Sequence, residues 1–176
     1  DRDIAAAYKN TKNFSKISLL KKLNITKRYK RIGFFAPHSF NDTSYAQGKL
    51  LHLSLYDHFI KTVEIIKNSK NTLWLIKPHP IAKYYAGKNI VKDYVKSANC
   101  KNLIICPKYI NNETMISISD IIVTCRGTIG LEAGFFGKKV VLAGESFYSD
   151  LNFSYFPKNN LQYENYLLNE KLNFQL

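Results

Sequence analysis

The residues of this chain that could do chemistry are concentrated in short turns that each follow an apolar run. Lys77-Pro78-His79-Pro80 holds an imidazole between two prolines. Proline fixes its own φ, so a side chain between two of them is positioned at little further entropic cost and could donate to a phosphate oxygen. Thr124-Cys125-Arg126-Gly127-Thr128 places a permanently charged planar guanidinium beside two hydroxyls at the start of a helical pattern. Arg126, Thr128 and free N–H groups at a helix start suit an anion, while Gly127 and Gly130 let the backbone approach it. Pro37-His38-Ser39-Phe40-Asn41-Asp42 offers a second histidine. Gly144-Glu145-Ser146-Phe147-Tyr148-Ser149 adds Ser146 and Tyr148, and Pro107-Lys108 adds one more cation. The shared chemistry is recognition of an anion such as a phosphate, with Lys77 subordinate to His79.

Other chemistries lack their patterns. Ser39, His79 and Asp42 could be assembled into a hydrolytic triad, but no G-x-S-x-G elbow is present. No His-x-x-x-His pair and no carboxylate cluster with histidine suggests a metal site, and no cofactor motif is visible. Gly127-x-x-Gly130 is neither a dinucleotide fingerprint nor a Walker A loop, so a plain strand-to-helix turn capped by Thr128 is the competing reading. His52 and His58 fall on a helical pattern and read as surface or packing residues. Tyr84, Tyr85 and Tyr148 could stack on a base or sugar, and only Tyr148 sits among polar turn residues.

The elements that must position these turns alternate along the chain. Strands are expected at 31–36, 72–77, 102–106, 120–125 and 138–143. Helices are expected at 50–68, where Leu51, Leu55, Phe59, Val63 and Ile66 keep helical spacing, and at 88–98, 111–118, 128–136 and 161–170. Gly137 suits a helix C-terminus. Strands apolar on both faces and separated by helices imply an α/β domain, a Rossmann-like doubly wound parallel sheet of about five strands with helices on both faces. Ligands of such sheets bind beyond the carboxyl ends of the strands, where all five turns fall. Residues 1–30 read as a basic linker carrying a short helix, and 31–176 as the domain.

Composition sets the outer bounds. The 176 residues fit one domain with a sizeable core. Lys and Arg number 26 against 13 Asp and Glu, for a net charge of +13. That field attracts phosphates, acidic polymers or an anionic membrane face. Nucleic acid is not expected, since no helix-turn-helix, RNP or zinc-finger signature appears. Three cysteines without CxxC spacing argue against disulfides or zinc and for a reducing, cytoplasmic compartment. No apolar run reaches the length of a membrane span. The opening Asp1-Arg2-Asp3, with neither initiator Met nor signal peptide, suggests a piece of a longer protein.

Two stretches carry a family resemblance: KPHP at 77–80 and TCRGTIGLEAGFFGKKVVLAGESFY at 124–148. They resemble the C-terminal half of GT-B fold glycosyltransferases of bacterial capsule and surface polysaccharide biosynthesis, and are similar to Kdo transferases and bacterial sialyltransferases with a His-Pro motif. The first-strand segment FFAPHSFNDTSYAQGKLL looks like the linker-to-helix region, so the likeness covers about 31–168. The resemblance implies a donor-binding domain for a nucleotide-activated sugar, CMP-linked in preference to UDP-linked. His79-Pro80 and Thr124 to Thr128 then match the positions that hold nucleotide and phosphate, and Glu132 resembles an acidic residue aimed at a ribose. Arg126-Gly127-Thr128 stands where the sialyltransferases place paired hydroxyls. The general base and the acceptor, a polysaccharide or glycolipid, would belong to a second half, so this fragment alone is expected to be inactive. The implied setting is the inner face of the cell membrane. A non-catalytic binding module, or glycerophosphotransfer or sugar epimerisation on the same scaffold, remain the alternatives.

Overall fold

The structure is a computed structural model that describes residues 10–42, 48–80, 82 and 89–169. Tyr84, Tyr85 and residues 43–47 lie outside the described residues. The elements run α1 (Lys16–Lys22), β1 (Arg31–Ala36), α2 (Leu55–Ile66), β2 (Thr72–Ile76), α3 (Ile90–Ser97) and β3 (Leu103–Ile105), then α4 (Asn112–Ile118), β4 (Ile121–Thr124), α5 (Ile129–Phe135), β5 (Val140–Leu142), β6 (Ser154–Tyr155) and α6 (Asn160–Leu168). All strands pair in parallel in the order β3-β2-β1-β4-β5-β6. The order reverses direction between β1 and β4, which opens a crevice at their carboxyl ends.

Two-faced burial explains why the strand sequences are continuously apolar. Ile32, Phe34, Leu73, Leu75, Ile122, Val140 and Leu142 pack with α1, α4 and α5. Their neighbours Phe35, Trp74, Ile76, Val123 and Val141 turn to the other face, against α2, α3 and α6. Successive strand side chains alternate faces, so every position from Ile121 to Thr124 is buried. Leu19 of α1 is fully buried in the first of these clusters, so the lead-in packs onto the domain. Gly33 is required beneath Trp74, whose ring occupies the space a Cβ would need.

The sixth strand was not expected from the sequence: β6 is two residues long, and the expected strand ends move inward by one or two residues elsewhere. Residues 50–54 precede α2 instead of joining it; Leu50 makes an isolated antiparallel bridge to Gly144, and Ser54 caps α2 by accepting from the Asp57 N–H. Arg31, buried at the start of β1, donates to Thr72 Oγ1 at 3.2 Å and to the carbonyls of Leu167 and Asn169. Those are carbonyls at the C-terminal end of α6, where a cation is favourable.

Candidate functional site

Beyond the carboxyl ends of β1, β2 and β4 lies a cleft of about 840 Å³. It is lined by His38, Lys77, His79, Thr124, Arg126, Gly127, Thr128, Glu132 and Ser146, with Asp42, Asn112, Glu145 and Phe147. β1 lies between β2 and β4, so the turns bearing His79 and Arg126 flank the one bearing His38. The rings of His38 and His79 stack at 5.8 Å, 6° from parallel. His38 Nδ1 is 3.4 Å from an Asp42 carboxylate oxygen. Burial lowers the His38 pKa; Asp42 opposes that shift, and the nearby Arg126 charge adds a smaller lowering.

Arg126 is buried, and the room for its side chain comes from Gly144, where a Cβ would stand 3.2 Å from Arg126 Nε and 2.9 Å from Cys125 Sγ. Thr128 occupies the N-cap position of α5 in helical geometry and makes no side-chain capping bond. Thr128 is exposed and lines the cleft without a capping duty, contrary to the reading of Thr128 as a simple cap. α5 itself spans only seven residues, so side chains rather than a helix dipole dominate the field for an anion.

Lys77 follows β2 and is half-buried. Its Nζ donates to the Ile110 carbonyl and to Asn112 Oδ1, each at 2.7 Å. Burial pushes its pKa down to about 8, against the opposing pull of the Cys106 thiol and the Glu132 carboxylate. Burial also pushes Cys106 up to about 12 and Cys125 up to about 11, which leaves both as thiols at neutral pH.

Two expected site residues do not line the cleft. Ser39 is buried behind His38, and its carbonyl accepts from the Asp42 N–H at 3.2 Å. Tyr148 is completely buried, and its hydroxyl donates to the Gly127 carbonyl. It supports the turn from below, and its ring and hydroxyl occupy the space where Gly130 would carry a Cβ. Gly130 therefore serves the packing of Tyr148 and not the approach of a ligand, while Gly127 does line the cleft. His52 and His58 are packing residues, both buried.

Sequence reasoning missed Asn112 and Phe147. Asn112 opens α4 after the β3 turn, and nothing in its local sequence shows that it meets Lys77, 35 positions away. Phe147 lies at the cleft and is 79% exposed, an unusual state for a phenylalanine. Its loop is held by the Glu145 N–H bond to the Lys49 carbonyl (2.7 Å), the Lys49 N–H bond to the Glu145 carboxylate (2.9 Å) and the Ser146 N–H bond to Ser149 Oγ (2.7 Å). Among the described residues no group of three His, Cys, Asp or Glu could hold a metal ion, and no helix is long and apolar enough to cross a membrane.

The fold is a doubly wound parallel sheet whose polar cleft lies at the switch point of the strand order, the place where sheets of this class bind their ligands. More particularly, residues 7–155 match the profile of the capsule polysaccharide biosynthesis proteins, and the chain belongs to that family. No curated protein matches it in sequence. Among solved structures it is similar in fold to KpsC, the beta Kdo 2,7 transferase of Thermosulfurimonas dismutans (TM-score 0.50, 20% identity, 95% of this chain and 57% of that one). A UDP-GlcNAc 2-epimerase from Neisseria meningitidis bound to UDP-GlcNAc matches at TM-score 0.46 and 16% identity, over 72% of this chain and 30% of that one. The chain thus spans just over half of the transferase it resembles.

Proposed function

We propose that this chain is the donor-binding half of a glycosyltransferase of capsule or related surface-polysaccharide assembly, and that its cleft takes a nucleotide-activated sugar. The observation that carries this reading is the meeting of His38, His79, Lys77, Arg126 and Thr128 in one cleft at the switch point, from three separate strand ends. Charge accumulates on the leaving nucleotide phosphate as the glycosidic bond breaks. Donors held in place by buried turns stabilise that charge without reorganising. Glu132, one turn into α5, suits the ribose hydroxyls and favours the charged form of Lys77. The donor is CMP-linked, in keeping with the His79-Pro80 likeness to CMP-sugar transferases. The acceptor, a polysaccharide or glycolipid, would be bound with the help of a second half.

The test is calorimetric titration of the chain with CMP, UDP and their sugars. CMP saturates the cleft, and His79→Ala and Arg126→Ala each weaken it by about 1 to 3 kcal/mol, the cost of a lost charged hydrogen bond, with unfolding temperature retained. Absence of saturable binding by any nucleotide, or full affinity in both variants, overturns the assignment.

A further inference from the structure

The pole of the sheet opposite the cleft carries most of the charge imbalance. Every strand but β6 is entered there from the preceding helix, through the segments 23–30, 67–71, 98–102, 119–120 and 136–139. These contain Lys27, Arg28, Lys30, Lys67, Lys70, Lys101, Lys138 and Lys139 against the single carboxylate of Asp120. Asp120 is itself engaged, accepting from the Ile32 N–H at 2.7 Å. Lys67 pairs with Glu64. The carboxyl rim carries a smaller excess among its described loop residues: Lys49, Lys77, Lys108, Arg126 and Lys158 face Asp42 and Glu145.

A lysine beside a helix C-terminus is accounted for by the helix dipole. That does not account for Lys27, Arg28 and Lys30, or for the apolar surface at the same pole. Phe135 and Phe136, at the end of α5, are 84% and 49% exposed. Gly137, at φ 64°, closes the helix in a tight turn, with Lys138 N–H bonded to the Ala133 carbonyl at 3.0 Å. Lys138 is further tied to the Ser117 carbonyl at 2.9 Å, which joins this corner to the end of α4. Two exposed aromatic rings, followed at once by two lysines and sharing their pole with six further cations, combine electrostatic attraction with an apolar wedge.

We infer that this pole is a docking surface for an anionic lipid bilayer, which holds the domain with its cleft facing away from the membrane. Phosphate headgroups meet the cations of four of the five connections, and Phe135 and Phe136 enter the headgroup boundary. The inference stands apart from the donor reading, since none of these residues lines the cleft.

The test is co-sedimentation of the full chain with phosphatidylcholine vesicles, with and without phosphatidylglycerol. Binding is expected only with the anionic lipid. The K27E/R28E pair lowers the partition constant by about tenfold or more. F135S, at a position too exposed to support the fold, and F135S/F136S lower it as well. K108E/K158E makes the same change of charge at the opposite rim and leaves binding in place. Nucleotide affinity stays constant in all the pole variants. Equal losses from K108E/K158E would show attraction to net charge alone. If F135S/F136S kept full vesicle binding while K27E/R28E abolished binding of a DNA duplex, the pole would be a polyanion site. Either result overturns the inference.

Discussion

At the residue scale the decisive group is Lys77, because its charge depends on what fills the cleft. Burial lowers its pKa to about 8, so the empty site loses the ammonium charge well below the ordinary lysine value of 10.5. A bound phosphate favours the charged form and raises the pKa again. Nucleotide affinity should therefore fall as pH rises through 8, and binding near that pH should take up a proton. Calorimetry in two buffers of different ionisation enthalpy reads that proton directly. Stability moves the other way. A lysine pKa lowered by folding costs stability below pH 8, and the cost is relieved between 8 and 10.5, where the unfolded chain binds the extra proton. Lys77→Met should bind nucleotide more weakly at neutral pH and show neither effect; affinity that stays level through pH 8 in the unaltered chain would remove Lys77 from the phosphate contact. His79, Arg126 and Thr128 were legible in the sequence because each follows a strand-like run. Tyr148 was misread because a tyrosine in a polar turn gives no sign of which way its ring faces; only the packing against Gly130 shows that it points into the core.

At the element scale α2 and α6 are joined by a buried polar set whose titration belongs to their packing. His58 Nε2 is 3.0 Å from the Tyr163 hydroxyl, and Thr62 Oγ1 lies 2.7 Å from that hydroxyl and donates to the His58 carbonyl. His52 stacks on His58 at 5.5 Å and lies edge-on to Tyr163 at 5.2 Å. Burial pushes His52 down to about 4; the Lys61 charge adds to that and Asp57 opposes it. His58 is driven well below the usual histidine range by burial, with His52 and His38 adding to the shift. Both rings are thus neutral in the native state, whereas the unfolded chain protonates near 6.5. Their contribution is fully present above pH 6.5 and is lost as pH falls toward 4, with a loss on the order of 3 kcal/mol from His52 alone. Thermal unfolding scans at falling pH should show this loss, and a His52→Leu variant should show a shallower one. An equally steep fall in that variant would place the acid sensitivity elsewhere. The sequence indicated helical spacing here but not the partners, since Tyr163 is 105 positions from His58. Five strands were legible because each is an unbroken apolar run. β6 was not, because Ser154–Tyr155 is too short to make a pattern and is defined only by its pairing with Val140 and Val141.

At the scale of the whole molecule, alternation of strand and helix gave the class of fold, but the strand order decides where the function lies. The placement of β1 between β2 and β4 brings the His38 turn between those of His79 and Arg126, and no local pattern encodes that order. The same topology leaves apolar surface near the cleft's own rim. Leu53 is 81% exposed and Phe147 79%. Water-facing apolar groups around a binding cleft are what a covering partner or ligand would bury. A transferase must also exclude water from the donor and orient an acceptor hydroxyl against it, and an open cleft on one side of the sheet does neither. The chain alone should therefore bind a nucleotide sugar saturably yet transfer none of it to a polysaccharide or glycolipid acceptor. Binding and product formation are to be measured on one preparation with a radiolabelled CMP-sugar. Transfer by this chain in isolation would show that the cleft is a complete active site, whereas binding without transfer would make activity depend on a second half that covers Phe147 and Leu53.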